Sequence, residues 1–318
     1  MATTTTAADS ELTSGGGQGP GPGMPLSVRL RTDARLAAIV LLLPAVLILV
    51  GLLGYPLVLG VWLSLTNQTI GYPGSFVGLD NFVNLVQDPV FRTALFNTVL
   101  YTVVSIAFKY VLGMALALLL NHKLRFKGFL RAVFLLPWVV PTVLSAIAWW
   151  WMFDSQFSII SWVGQQLGFI DHNINFLGQP WNARWSVIAV DIWRGTPFFA
   201  ISLLAGLQTV PSSLHEAADM DGATSWQRFR YVTLPMLSGI TAIVVTFSAI
   251  FTFSDFSLVY SITRGGPNNA TQLLATLAYQ RAIQGGNLSE GAAIAMFMVP
   301  VLFVFTLLTY FKVTRRKW

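Results

Sequence analysis

The sequence predicts an all-α membrane protein of six transmembrane helices, with one polar cytoplasmic loop between the fourth and fifth. Three observations predict it. First, 54% of the 318 residues are hydrophobic and only 10% are charged, against roughly 25% charged in soluble domains. Second, the apolar residues come in long runs instead of at amphipathic spacing, and a run of about 20 is what a helix needs to cross the hydrocarbon core. Third, the short alternating segments of a transmembrane barrel are missing.

Residues 1–28 are rich in Thr, Gly and Pro with almost no bulky apolar side chains. Such a segment cannot bury enough surface to offset its ordering entropy, so a disordered tail is expected, with Met24 as an alternative start. No small-residue cleavage site follows, so the first span is expected to stay as an anchor. The membrane domain then covers 29–318, with spans near 35–65, 93–120, 128–153, 184–208, 235–262 and 291–311. The first is longer than required and is expected to tilt or to end outside the bilayer. Pro44, Pro56, Pro137, Pro141, Pro197 and Pro300 fall in or near these spans. Membrane helices accept such breaks when neighbours satisfy the freed carbonyls.

Lysine and arginine set the orientation. With both termini inside, the cytoplasmic side collects Arg29, Arg31, Arg35, Lys123, Arg125, Lys127, Arg131, Arg228, Arg230, Lys312, Arg315, Arg316 and Lys317. The outside keeps Arg92, Arg184, Arg264 and Arg281. The opposite orientation would invert that bias. The net charge of +6 is therefore read as an orientation signal in contact with membrane lipid, and no nucleic-acid partner is expected. The long outer connections, near 67–92, 154–183 and 262–290, carry Trp162, Phe169, Phe176 and Trp181. These aromatics fit either an interfacial belt or the docking of an external protein.

With no cysteine, disulfides and thiolate chemistry are excluded. His122, His172 and His215 have no metal-ligand spacing, so no metal is expected. No lysine is followed by Ser or Thr in a Gly-rich loop, so the chain cannot cradle ATP phosphates as a P-loop does. Nothing suggests catalysis: no Ser–His, paired-Asp or His/Glu cluster falls at membrane depth.

The polar segment 209–234 carries the most specific signal. Ser213-Leu214-His215-Glu216 reads as a capping box, and Gly222 offers a left-handed stop for the helix it begins. Thr224-Ser225-Trp226-Gln227 reads as a second box starting another helix, and Pro235 opens the fifth span. Glu216-Ala217-Ala218, then Gly222, then Val232-Thr233-Leu234-Pro235 resembles the EAA loop of permease subunits of binding-protein-dependent ABC importers, with Val where Ile is commonest. The segments Phe76–Phe82 (FVGLDNF), Asp191–Phe198 (DIWRGTPF) and Thr263–Thr271 (TRGGPNNAT) are similar to the sugar-permease branch, the relatives of maltose and glycerol-phosphate transport permeases. The resemblance extends over most of 35–318.

That resemblance implies the type I importer permease fold and a cytoplasmic coupling helix. Glu216, Ala217, Ala218, Asp221, Gly222, Leu234 and Pro235 would form the contact with a separate ATPase, which would carry the ATP and Mg; no cofactor belongs to this chain. It further implies a second permease chain, usually a different one, an external or periplasmic solute-binding protein, and the inner membrane of a prokaryote. The solute would be a carbohydrate or polyol.

Charges inside spans default to functional hypotheses. Asp191 and Arg194, at i and i+3, are expected to pair on one helix face, as a structural pair or as part of the translocation path. Lys109 snorkels or pairs with an acid. Asp255, with Ser254 and Ser257, either lines a hydrophilic pocket or caps the TRGG turn. Asn97 is a further path candidate. Trp149-Trp150-Trp151 fits an aromatic belt or a stacking surface for sugar rings. The alternative from another class is an ion-coupled secondary transporter using Asp191, Asp255 or Lys109 and indifferent to the 209–234 loop.

Overall fold

The computed structural model describes residues 34–122 and 125–314. The predicted tail and the flanking charges Arg29, Arg31, Lys123 and Arg315–Lys317 lie outside the described residues. Two compact units are distinguished, Met1–Leu59 and Gly60–Trp318.

The first unit holds α1 (Ala34–Leu49), a π-turn (Val50–Gly54) and the start of α2 (Tyr55–Ser64). Residues Ala38–Ser64 form one apolar helical stretch of mean hydropathy 2.7. Pro44 sits inside α1.

In the second unit the amphipathic helix α3 (Asp80–Gln87) leads into α4 (Pro89–Asn121). The start of α4 is fixed locally: Pro89 occupies the first helical turn, and Asp88 accepts from the Val90 N–H at 2.8 Å. Pro suits that position because its missing N–H would be unpaired anyway. Next come α5 (Lys127–Val139), α6 (Thr142–Met152), a short helix α7 (Ile159–Gln166) and the long α8 (Pro180–Leu207). Then follow α9 (Ser212–Met220), α10 (Ser225–Arg228), α11 (Ser238–Phe253), α12 (Ser257–Ile262), α13 (Leu274–Tyr279) and α14 (Leu288–Thr314).

Among the described residues four helices are long and apolar enough to cross a membrane, and six spans result when each of two bent pairs counts as one. The bends correct the expected continuous third and fifth spans. The third divides into α5 and α6 at an angle of 91°. Val140 is extended (φ −65°, ψ 132°) ahead of Pro141, as the proline ring demands of the residue before it. The fifth is bent by 66° between Met236 and Ser238, and it ends at Phe253. The backbone then breaks at Ser254–Phe256 before α12 resumes, so the expected span to 262 is two helices.

Helices α4 and α8 form the central pair. One core gathers Phe91, Leu274, Leu277 and Ile294; a second gathers Tyr101, Ile188, Leu258 and Leu273; a third gathers Met114, Phe199, Leu203 and Leu237. Since α4 contributes to all three, it is the axis around which the other spans are placed.

Candidate functional site

Two constellations stand out: a charged cavity within the spans, and the exposed loop between α8 and α11.

The cavity, about 390 Å³, is lined by Lys109, Thr142, Asp191, Arg194, Ser254 and Asp255, with Trp138 and Phe198 as an aromatic wall. Those two rings stack at 5.9 Å between centroids with planes 21° apart. Each charge comes from a different structural cause. Lys109 projects from α4 across Gly195 of α8, where a Cβ would fall 2.5 Å from its Cε. Glycine at 195 is thus what lets the lysine stem pass. Its Nζ then meets Asp191 Oδ2 at 2.6 Å, with both side chains almost wholly buried, and donates to Thr252 Oγ1 at 3.0 Å. The contact with Asp191 is an ion pair and not an aligned hydrogen bond.

Arg194 reaches Asp255 Oδ2 at 3.7 Å and donates to Thr142 Oγ1. Thr142 is the first residue after the α5–α6 break, and Asp255 stands in the α11–α12 break. Tyr101 donates to Asp255 Oδ2 at 3.0 Å, and the Leu258 N–H donates to Oδ1 at 3.3 Å. Both interruptions of the spans therefore open onto the same cavity. Non-helical backbone at membrane depth is stable only where protein buries it or it lines such a space.

The expected Asp191–Arg194 pair is corrected. Both residues face the cavity, but each takes a partner from elsewhere in the fold: Asp191 pairs with Lys109 of α4, Arg194 with Asp255 in the α11–α12 break. Asp255 lines the pocket, and its Oδ1 accepts from the Leu258 N–H in the first turn of α12, not from the TRGG turn. Ser254 also lines the cavity, its Oγ bonded to the Ile250 carbonyl at 2.6 Å. Asn97 stands apart. Its Nδ2 donates to the Asn269 and Gln272 carbonyls, both at 3.1 Å, and its Oδ1 accepts from Arg184 Nε at 2.9 Å. Trp149 packs edge-on to Trp193 at 5.4 Å, whereas Trp151 is exposed. Among the described residues no three His, Asp or Glu side chains gather as a metal site.

In the loop that follows α8, α9 starts two residues earlier than expected. Pro211 takes the extended N-cap geometry (φ −60°, ψ 133°), which leaves Ser213 inside the helix, and no side-chain capping bond forms. The expected box at Ser213 is thus absent. The second box is present: Thr224 Oγ1 accepts from the Gln227 N–H at 3.3 Å, and Gln227 Oε1 accepts from the Thr224 N–H at 2.7 Å. Between them Gly222 takes φ +74°, a conformation that costs any residue with a Cβ. It closes α9, with the Gly222 and Ala223 N–H groups donating to Asp219 and Ala218 carbonyls.

Arg228 folds back to grip Asp219 with Nη1 at 2.5 and 2.7 Å from its two carboxylate oxygens. The loop is thereby a pair of helices joined by a turn and held by this pair, and Glu216, Ala217, Met220 and Asp221 stay exposed, Met220 to 89%. Leu234 and Phe229 tie it into the inner core, and Pro235 sits in the first turn of Leu234–Met236.

A family model described as "binding-protein-dependent transport system inner membrane component" matches residues 109–317, which takes in the cavity and the loop. The chain belongs to this family. Among the permease's curated relatives is the trehalose/maltose transport system permease protein MalF of Thermococcus litoralis, 34% identical over 276 residues, covering 86% of this chain and 92% of that one. The sulfoquinovosyl glycerol transport system permease protein SmoG of Agrobacterium fabrum is 33% identical over 285 residues, covering 89% and 92%. In shape the permease is similar to a chain of a bacterial ABC transporter that imports the acidic polysaccharide alginate. The TM-score is 0.77 at 23% identity, over 92% of this chain and 99% of that one. A chain of the MetNI methionine ABC transporter aligns at TM-score 0.54 and 18% identity, over 75% of this chain and 99% of that one. The fold is therefore that of ABC importer permeases, as the sequence predicts.

Sequence reasoning missed Tyr101, Thr142 and Thr252 as members of the cavity network. Each is an uncharged residue in an apolar helix, and only the rotation of α4, α6 and α11 brings them to the ionic groups.

Proposed function

We propose that this permease forms half of the translocation path of an ATP-driven importer for a carbohydrate or polyol-like solute. The observation that carries the reading is the clamped loop 209–234. It is a polar helix with an uncovered face, braced by Gly222, the Thr224 box and the Asp219–Arg228 pair, and a braced lever suits the transmission of a partner's motion. Glu216, Ala217, Ala218, Asp221 and Gly222 would meet a separate ATPase, with Leu234 and Pro235 joining the lever to the fifth span. That ATPase would hold the ATP and Mg. An external solute-binding protein, and a second permease chain of different sequence, complete the assembly in the cytoplasmic membrane, with both termini inside. The solute class rests on relatives whose names specify trehalose/maltose and sulfoquinovosyl glycerol. The cavity at Asp191, Arg194, Ser254 and Asp255 is the proposed path segment: ion pairs and hydroxyls beside stacked aromatic rings offer both hydrogen bonds and an apolar face to a sugar.

The test is co-purification of the C-terminally tagged chain in mild detergent, with partners identified by mass spectrometry. Wild type should bring down an ATPase and a second permease, and Glu216→Lys or Gly222→Pro should lose the ATPase. A folded chain recovered alone, indifferent to both changes, would overturn the reading in favour of an ion-coupled carrier built on Lys109, Asp191 and Asp255.

A further inference from the structure

Among the described residues, Lys109, Arg194 and Arg131 are basic side chains that lie inside spans. The first two face carboxylates at 2.6 and 3.7 Å. Arg131 has no carboxylate partner among the described residues, and its Nε is buried without a hydrogen-bond acceptor. A buried guanidinium N–H without a partner is costly in a protein interior and more so beside hydrocarbon. The arrangement is stable if the acceptor comes from outside the chain.

The surroundings specify that acceptor. Arg131 borders a cavity of about 190 Å³ between α5 and α8, whose other walls are Leu135, Ile201, Leu204, Ala205 and Gln208. Lys127 begins α5 one helical turn before Arg131, so the guanidinium's root sits about 6 Å along the axis from the helix start. Gln208 caps the matching end of α8. Both ends are cytoplasmic by the Lys/Arg bias, so the cavity lies at the depth of the inner leaflet's headgroups. Its polar groups, Arg131 and Gln208, lie at that rim, and the apolar walls lead toward the bilayer interior. Lys127 and Arg125 add positive charge nearby.

We propose that this cavity is a binding site for an anionic phospholipid of the inner leaflet, its phosphate accepting from Arg131 and an acyl chain lying along Leu135, Ile201 and Leu204. A phosphate is the acceptor that a guanidinium fork matches geometrically, and basic pockets between spans on the cytoplasmic side are suited to such headgroups. Charge complementarity and the orphaned Nε carry the proposal. It is independent of which solute is transported and of any ATPase.

The full chain, with whatever partners co-purify, is reconstituted into nanodiscs of equal phosphatidylglycerol and phosphatidylcholine. Lipid retained after release into detergent is then read by native mass spectrometry. Wild type should retain phosphatidylglycerol in preference to phosphatidylcholine. Arg131→Gln should lower that retention about tenfold, the factor expected from losing one charge-assisted hydrogen bond. Ala205→Trp, which keeps the charge and fills the cavity, should lower it similarly, so the proposal stays decidable if Arg131→Gln folds poorly. Equal retention of the two lipids by wild type would overturn the proposal. So would unchanged phosphatidylglycerol in both variants, or an Arg131→Gln variant that keeps the lipid and instead loses a co-purifying chain, which would assign the guanidinium to a protein carboxylate.

Discussion

Lys109 on α4 and Asp191 on α8 meet at 2.6 Å with 3% and 2% of their side chains exposed. The two charges neutralise one another where neither would be tolerated alone. Removing one partner of a buried pair leaves the other uncompensated and costs about 3–5 kcal/mol, whereas replacing both by apolar groups is far less costly. Asp191→Ala and Lys109→Ala should each lower the unfolding temperature in detergent strongly. Lys109→Met combined with Asp191→Leu should recover most of the loss. A double variant as unstable as the two single losses summed would show that the residues do not act as a pair.

Gly195 extends that argument to the backbone. A Cβ there would fall 2.5 Å from Lys109 Cε and 2.8 Å from its Cδ, so Gly195→Ala must push the lysine stem aside. Overpacking of this kind costs roughly 1–3 kcal/mol. If displacement of Lys109 is the cause, Gly195→Ala should cost much less when Lys109 is already Met. Tryptophan-fluorescence unfolding of the two single variants and the double variant measures the coupling, and strict additivity would refute it.

The contrast between what was and was not legible in the sequence follows from these residues. Apolar runs located the long helices Pro89–Asn121, Pro180–Leu207 and Leu288–Thr314 but not the end of the fifth span at Phe253, and Gly222 announced its own left-handed turn, because an apolar run and a glycine are local signals. Pro141 marked an interruption, but the 91° bend depends on what packs against α5 and α6. The expected Asp191–Arg194 pair failed for a similar reason. Spacing along α8 allowed the pair, but the rotation of α4 and the break at Asp255 supplied each residue with another partner. Ser213 lost its cap to a neighbour, since Pro211 already holds the extended geometry that starts the helix.

For the 209–234 loop, Gly222 and the Asp219–Arg228 pair make distinguishable predictions. No atom lies within 4 Å of where a Gly222 Cβ would stand, so substitution there is penalised only through φ +74°. Gly222→Asn, which tolerates that region, should keep loop function, while Gly222→Val should lose about 1–2 kcal/mol of loop order. ATPase recovery from co-purification ranks the variants. Equal recovery from Asn and Val would mean the left-handed turn is dispensable.

The Asp219–Arg228 pair is exposed, so it is worth only about 0.2–1 kcal/mol and is weakened by salt. Asp219→Asn should therefore reduce ATPase recovery by no more than about fivefold, with the deficit shrinking at high ionic strength. The reversal Asp219→Arg with Arg228→Asp should restore recovery. If the reversal behaves as poorly as the single variants, the carboxylate at 219 is contacting the partner directly instead of bracing the loop.

Asn97 is a path candidate from sequence, and its hydrogen bonds give it a structural part to be tested against that role. It joins α4 to the segment between α12 and α13 through the Asn269 and Gln272 carbonyls and holds Arg184 through its Oδ1. Asn97→Leu strands all three groups, at about 1–3 kcal/mol for each one left buried without a partner. Asn97→Asp keeps the acceptor for Arg184 and loses the two donations, so its stability should fall between wild type and Asn97→Leu. Since the side chain does not border the large cavity, uptake per folded molecule in reconstituted vesicles should change little in either variant. A fall in uptake without a fall in unfolding temperature would return Asn97 to the path.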